Sequence, residues 1–125
     1  MSDVSAKRYS EMEGAFGGGM RKVRAELGLR AFGVQSMHMP PNYDGYPMHD
    51  HASSGQEELY VTLSGSGTME VEGGESIALD PEVAVRVGPA QRRKVIAGPE
   101  GIRLLVVGGT PGAVYEPWPA TELDG

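Results

Sequence analysis

The chain has 125 residues, of which 39% are hydrophobic and 6% aromatic, the length of one domain whose core must come chiefly from Val, Leu, Ile, Ala and Met. Its 11 basic and 17 acidic residues leave a net charge of -6, which disfavours nucleic acid and anionic membrane surfaces as partners. With no cysteine there is no disulfide framework or thiolate chemistry, and the polar start Met1-Ser2-Asp3-Val4 and the lack of any long apolar run predict a soluble cytoplasmic protein.

Glycine is over-used, at 19 of 125 residues or about twice the usual share of about 7%. Outside Gly17-Gly18-Gly19 the glycines fall singly or in pairs between short apolar segments, the rhythm of turns in a many-stranded β protein.

Residues 1–19 are polar and then glycine-rich, and read as a loose N-terminal arm, free or laid across the surface. Met20, Val23 and Leu27 fall at helical spacing with Gly28 as a C-cap, so 20–27 predicts at most one short helix. From there the pattern is one of short strands: 29–39, 48–51, 57–64, 68–71, 76–79, 83–87, 93–96, 102–107 and 113–115. Nearly every gap carries a turn signal, among them Pro40-Pro41-Asn42, Gly65-Ser66-Gly67, Gly73-Gly74, Asp80-Pro81 and Gly98-Pro99-Glu100-Gly101. Regular spacing of this kind predicts a sandwich or barrel. Ile102 to Val107 is almost wholly apolar, as in a strand covered on both faces. The strand 57–64 alternates, with Leu59, Val61 and Leu63 on one face and Glu58, Tyr60 and Thr62 on the other.

All three histidines lie between residues 38 and 51, two of them in His49-Asp50-His51. In an extended strand His49 and His51 share a face with Cα atoms roughly 6.5–7 Å apart, so both imidazoles can converge on one ion. Two histidines and one carboxylate suit Zn, Fe, Ni or Mn and leave coordination positions open. The same tripeptide also describes an exposed strand with two solvated histidines. His38 reads as a partly exposed structural residue, and Met37, Met39, Met48 and Met69 as core fillers or as the lining of an adaptable pocket.

Downstream residues add to the pattern. His49-Asp50-His51, Glu58, and Gly65 after six residues resemble the first motif of the cupin family, with Gly65-Ser66-Gly67-Thr68-Met69-Glu70-Val71 similar to the second arm of its hairpin. The stretch from His51 to Glu58 is two or three residues longer than the family's, which leaves Glu57 as an alternative to Glu58. At the spacings of the second motif stand Glu82, Gly88, Ala90, Arg93 and Ala97, so its register survives without its identities. Arg93 replaces the fourth metal ligand, and a guanidinium offers donors only.

The resemblance implies an all-β cupin double-stranded β-helix, or jelly-roll, barrel over 29–118, preceded by the arm and helix of 1–28 and followed by a tail at 119–125. It implies a metal set of His49, His51 and Glu58 and a divalent metal cofactor (Fe, Zn, Ni or Mn), or an empty site if the Arg93 charge excludes the ion. Arg93 either pairs with Glu58, grips an anionic group of a ligand, or belongs to a solvated run with Arg92 and Lys94. Tyr60 and Arg93 are the candidate catalytic residues, acting on a small organic acid or phenol; a non-catalytic, metal-free binding or sensing cupin is the alternative. The expected partners are a small-molecule ligand, anionic if Arg93 holds it, and a second copy of the chain docked on the Leu59, Val61 and Leu63 face. Trp118 is expected to anchor the C-terminus on the barrel or on that copy.

Overall fold

The computed structural model describes residues 2–124. Its elements are β1 (Gly14–Ala15), β2 (Met20–Arg21), α1 (Val23–Leu27), β3 (Gly33–Met39), β4 (Glu57–Val71), β5 (Ser76–Leu79), β6 (Ala84–Val87) and β7 (Arg93–Gly109), with short 3-10 turns at Tyr9–Glu11, Phe16–Gly18 and Pro119–Thr121. All strand pairings are antiparallel, in the order β1-β2-β3-β7-β4-β5, with β6 also paired to β4. No described helix is long and apolar enough to cross a membrane.

The barrel is made by two bent strands. β4 and β7 pair from Glu57↔Gly109 to Val71↔Arg93, with register shifts between Thr62 and Ser64 and between Gly65 and Gly67. One half of this ladder carries β3 and β6 on its two edges, and the other half carries β5. The expected breaks at Gly65-Ser66-Gly67 and Gly98–Gly101 are therefore bends rather than ends. The reason is steric: Gly65 has φ +78°, and the Gly101 carbonyl oxygen occupies the place where a Cβ would point, so only glycine lets the two backbones turn the corner in contact.

Between the two halves lies an apolar core that includes Met39, Tyr60, Met69, Leu79, Val85, Val87, Val95, Ile102, Leu104 and Val106. Tyr60 and Thr62 are buried inward on β4, whereas Leu59 and Leu63 face out at 41% and 38% exposure. Period-two alternation thus survives along the inner face. Part of the outer face is covered: Met12 of the arm and Val23 of α1 pack with Val34, Leu105 and Val107. The arm is laid across the surface, not free.

Other expectations need correction. Residues 20–27 are not one helix; Met20–Arg21 pairs with Ser36–Met37 as β2, and α1 starts at Val23. Gly28 does cap it, left-handed at φ +73° with its N–H on the Ala25 carbonyl. The strand expected at 29–39 begins only at Gly33, and 113–115 forms no strand. Residues 48–51 keep a single bridge, His49 with Arg93, because Pro47 precedes it and the His51 carbonyl already accepts the turn amides of Ser54 and Gly55.

Trp118 does not anchor the tail on its own barrel: it is 56% exposed and stacks on exposed Phe16, ring centroids 6.3 Å apart. Tyr115 and Thr121 are the buried tail residues, and the Tyr115 hydroxyl lies 2.5 Å from where a Cβ on Gly33 would be. Two buried cations hold the segment's end. Lys22 Nζ donates to the Glu122 carbonyl at 2.7 Å and to Glu13 at 2.6 Å, and Arg24 pairs with the Glu122 carboxylate.

Candidate functional site

Glu58, Tyr60 and Thr62 form an inward column on β4. The bridge between His49 and Arg93, with backbone N–H to O distances of 3.0 and 2.9 Å, brings the 47–51 loop against the start of β7, and the His51 N–H donates to the Pro89 carbonyl at 2.8 Å. These contacts place the two imidazoles over Glu58. One potential ligand atom from each of His49, His51 and Glu58 lies within 4.8 Å of the others.

His51 Nε2 is 3.4 Å from Glu58 Oε2. Two ligands on one ion in a tetrahedral site with bonds of about 2.1 Å stand roughly 3.4 Å apart, so this pair already has the spacing a shared ion requires. His49 Nδ1 is 3.1 Å from the Pro47 carbonyl oxygen, which can only accept, so the proton sits on Nδ1 and Nε2 keeps its lone pair. Its ring meets that of His51 edge-on, centroids 5.2 Å apart. The donor set fits a divalent transition ion; drawing the widest pair, at up to 4.8 Å, into one coordination sphere needs a contraction of up to roughly 1.4 Å.

Arg93 is fully buried, at 0% exposure, while its neighbours Arg92 and Lys94 face outward, Arg92 toward Glu72 and Asp50. Its guanidinium donates to Glu58 Oε1, to the Tyr60 hydroxyl at 3.3 Å and to the Gln91 carbonyl at 2.9 Å. Of the arrangements open to it in the sequence, pairing with Glu58 is the one present. Without exposed surface, it stands behind the carboxylate. Tyr60 is likewise buried and donates to Glu58 Oε1 at 2.9 Å. Oε1 thus faces the Arg93 and Tyr60 donors, and Oε2 faces the histidines.

The electrostatics follow from this division. Burial alone would raise the Glu58 carboxyl, but the hydrogen bond and charge of His51 and the Arg93 guanidinium outweigh it and hold the group at about 2. Burial and the positive charge of Arg93 lower His49, favouring the neutral imidazole that ligation needs. Burial pushes Tyr46 up to about 12 and Tyr60 well above its ordinary value, so both remain protonated donors.

Glu57 points outward to Arg86 at 2.6 Å, which leaves Glu58 as the inward carboxylate. His38 is exposed on β3, outside the cluster. Sequence reasoning missed Tyr46, whose hydroxyl is 3.3 Å from that of Tyr60 and whose ring centroid is 5.2 Å from that of His49. It also missed the Pro47 carbonyl. Both come from an irregular loop that has no periodicity to betray which side chains turn inward. Glu58 also borders a cavity of about 410 Å³ shared with Phe32, Gly108 and Tyr115 and with the outward-facing Glu57, Leu59 and Arg86.

No protein-family model and no curated protein sequence matches the chain. Solved structures do. A cupin protein from Bacteroides fragilis is similar over 100% of this chain and 97% of its own, with a TM-score of 0.70 and 22% identity. The DMSP lyase DddQ from Ruegeria pomeroyi is 22% identical with a TM-score of 0.57; the match covers 68% of this chain but only 42% of the lyase. KdgF from Halomonas sp. is 14% identical with a TM-score of 0.56, covering 63% of this chain and 68% of that one. At these identities the likeness establishes the fold.

Proposed function

We propose that this chain, a small domain with the cupin fold, binds a small organic molecule at a divalent metal held by His49, His51 and Glu58. The observation that carries the reading is the convergence of those three donors within 4.8 Å, with the His49 tautomer set by Pro47. Chemistry supplied by an ion bound there would be Lewis-acid polarisation of the ligand or the binding of oxygen. A lyase among the similar structures supports catalysis on a small organic acid or phenol as within reach of this fold, although fold alone does not choose the reaction.

The protein's own groups divide the work. His49 and His51 offer neutral nitrogens, and Glu58 offers Oε2. Arg93 and Tyr60 act as positioning residues through Oε1: they fix the carboxylate's rotamer and keep it ionised. The second copy of the chain, docked on the outward Leu59 and Leu63 face, belongs to the same reading, and sedimentation equilibrium distinguishes a dimer from a monomer.

A second reading has an observation of its own. Arg93 satisfies the buried Glu58 charge without any ion, and a cation so close raises the cost of adding a divalent one. The chain would then be a metal-free, non-catalytic binding or sensing protein. Elemental analysis of untagged protein purified without chelator, beside a His49→Ala/His51→Ala variant, tests both. Near-stoichiometric Fe, Zn, Ni or Mn in the parent and none in the variant supports the metal reading. A parent that carries no metal and takes up none when each ion is offered overturns it.

A further inference from the structure

β5 and β6 both hang on β4 but do not pair with each other. β5 runs beside Gly67–Glu70, whereas β6 runs beside Glu58–Val61. A seam is left between their free edges, and it opens into a cavity of about 400 Å³ lined by Met69 and Val71 of β4, Ile77 of β5 and Val85 and Val87 of β6, with Gln91 at one side. That size is in the range of small-molecule sites.

Two features say what this space suits. First, its charged and donor side chains are already engaged: the Gln91 side-chain NH2 donates to the Glu72 and Arg92 carbonyls, and Arg86 at the rim turns out to Glu57. Most of the remaining lining is the apolar side chains of Met69, Val71, Ile77, Val85 and Val87 with no further charged group, so a charged group entering it would lose hydration without an opposite charge to compensate. Second, the wall begins at the polar cluster. Val87 and Val85 are the register partners of Glu58 and Tyr60, and the Gln91 carbonyl accepts from Arg93.

We propose that the seam between β5 and β6 is an apolar subsite that admits an uncharged alkyl or aryl group, so that the ligand is amphiphilic, its polar head at the histidine cluster and its apolar body between the two strands. The placement of the head rests on the proposed function; the preference of the seam does not. Displacing a few poorly held waters with hydrocarbon makes affinity rise with each methylene that fits, until the space is full.

Isothermal titration with phenol and 4-methyl-, 4-ethyl-, 4-propyl- and 4-butylphenol tests this, run on chelator-treated and on Zn²⁺-loaded protein. The expected result is a dissociation constant that falls about four-fold per added methylene in both preparations. Ile77→Trp, at a half-buried position on an edge strand, fills the seam and should abolish the length dependence; Val87→Thr, nearly isosteric, should flatten it without opening space. Affinity independent of chain length, absence of binding by every member up to millimolar concentration, or undiminished binding of 4-butylphenol by both variants overturns the proposal. Length dependence persisting in a protein that takes up no metal overturns only the metal reading.

Discussion

Replacing Arg93 with Met removes a cation that has no exposed surface while leaving its partner carboxylate, Glu58, at 12% side-chain exposure. Breaking a buried ion pair by deleting one member costs about 3–5 kcal/mol, because the surviving charge is stranded. Here the lower end applies, since Glu58 keeps the Tyr60 hydroxyl at 2.9 Å and His51 at 3.4 Å. The expected loss at pH 7 is about 3 kcal/mol, or roughly 10–15 °C in Tm for a chain of this size. The pH dependence has a definite sign. In the parent the Glu58 carboxyl is held at about 2 against an ordinary 4.5, so its contribution is complete above about 4.5 and is lost as the pH falls toward about 2. In Arg93→Met burial acts with less opposition, the carboxyl moves up, and the deficit relative to the parent shrinks between pH 7 and pH 3. Urea unfolding of the parent, Arg93→Met, Glu58→Gln and the double variant at both pH values measures this, and the double variant should recover most of the loss. A deficit under about 1 kcal/mol at pH 7, one that does not change with pH, or a double variant as unstable as the sum of the singles would refute the reasoning.

Gly65→Ala puts a methyl group onto the Gly101 carbonyl at φ +78°, whereas Gly73→Ala, at φ +74°, meets nothing within 4 Å; the first should cost more than about 3 kcal/mol or prevent folding, and the second only the left-handed penalty of about 1 kcal/mol, as read from thermal melts. Glu122→Ala takes the carboxylate from buried Arg24 and should cost about 1–3 kcal/mol, with faster amide exchange confined to the C-terminal tail; exchange rates there equal to the parent's would show that Tyr115 and Lys22 hold the tail without it.

The inner face of the barrel was legible because β4 alternates cleanly. Once Leu59, Val61 and Leu63 are read as one side, Glu58, Tyr60 and Thr62 must share the other, and the structure places Tyr60 and Thr62 inside. Arg93 was legible as a position but not as a contact. Its spacing from Gly88 marked it out, yet whether it met Glu58, a ligand or solvent depended on a bridge to His49 across forty-odd residues of chain. The tail went unread for a related reason: what buries Tyr115 is the missing side chain of Gly33, and what holds Glu122 is a pair of cations, Lys22 just before α1 and Arg24 within it. Buried Lys and Arg run against composition-based expectation. The bends were misread because Gly-x-Gly marks a chain end and a corner with the same residues, and only the partner strand, bending at the same height, tells them apart.

The pairing of β4 with β7 on both sides of the corner, register shifts included, has a consequence for how the molecule comes apart. Neither sheet owns its central strands, so rupture of the ladder on one side strips the backbone partners from the other, and the two halves should open as a single cooperative unit with the slowest-exchanging amides along its length. β5 and β6 sit outside that unit, each tied by four residue pairs along one edge. They can detach singly while the ladder stays closed, which makes the gap between them the part of the wall that breathes at the smallest free-energy cost and the natural doorway to the interior.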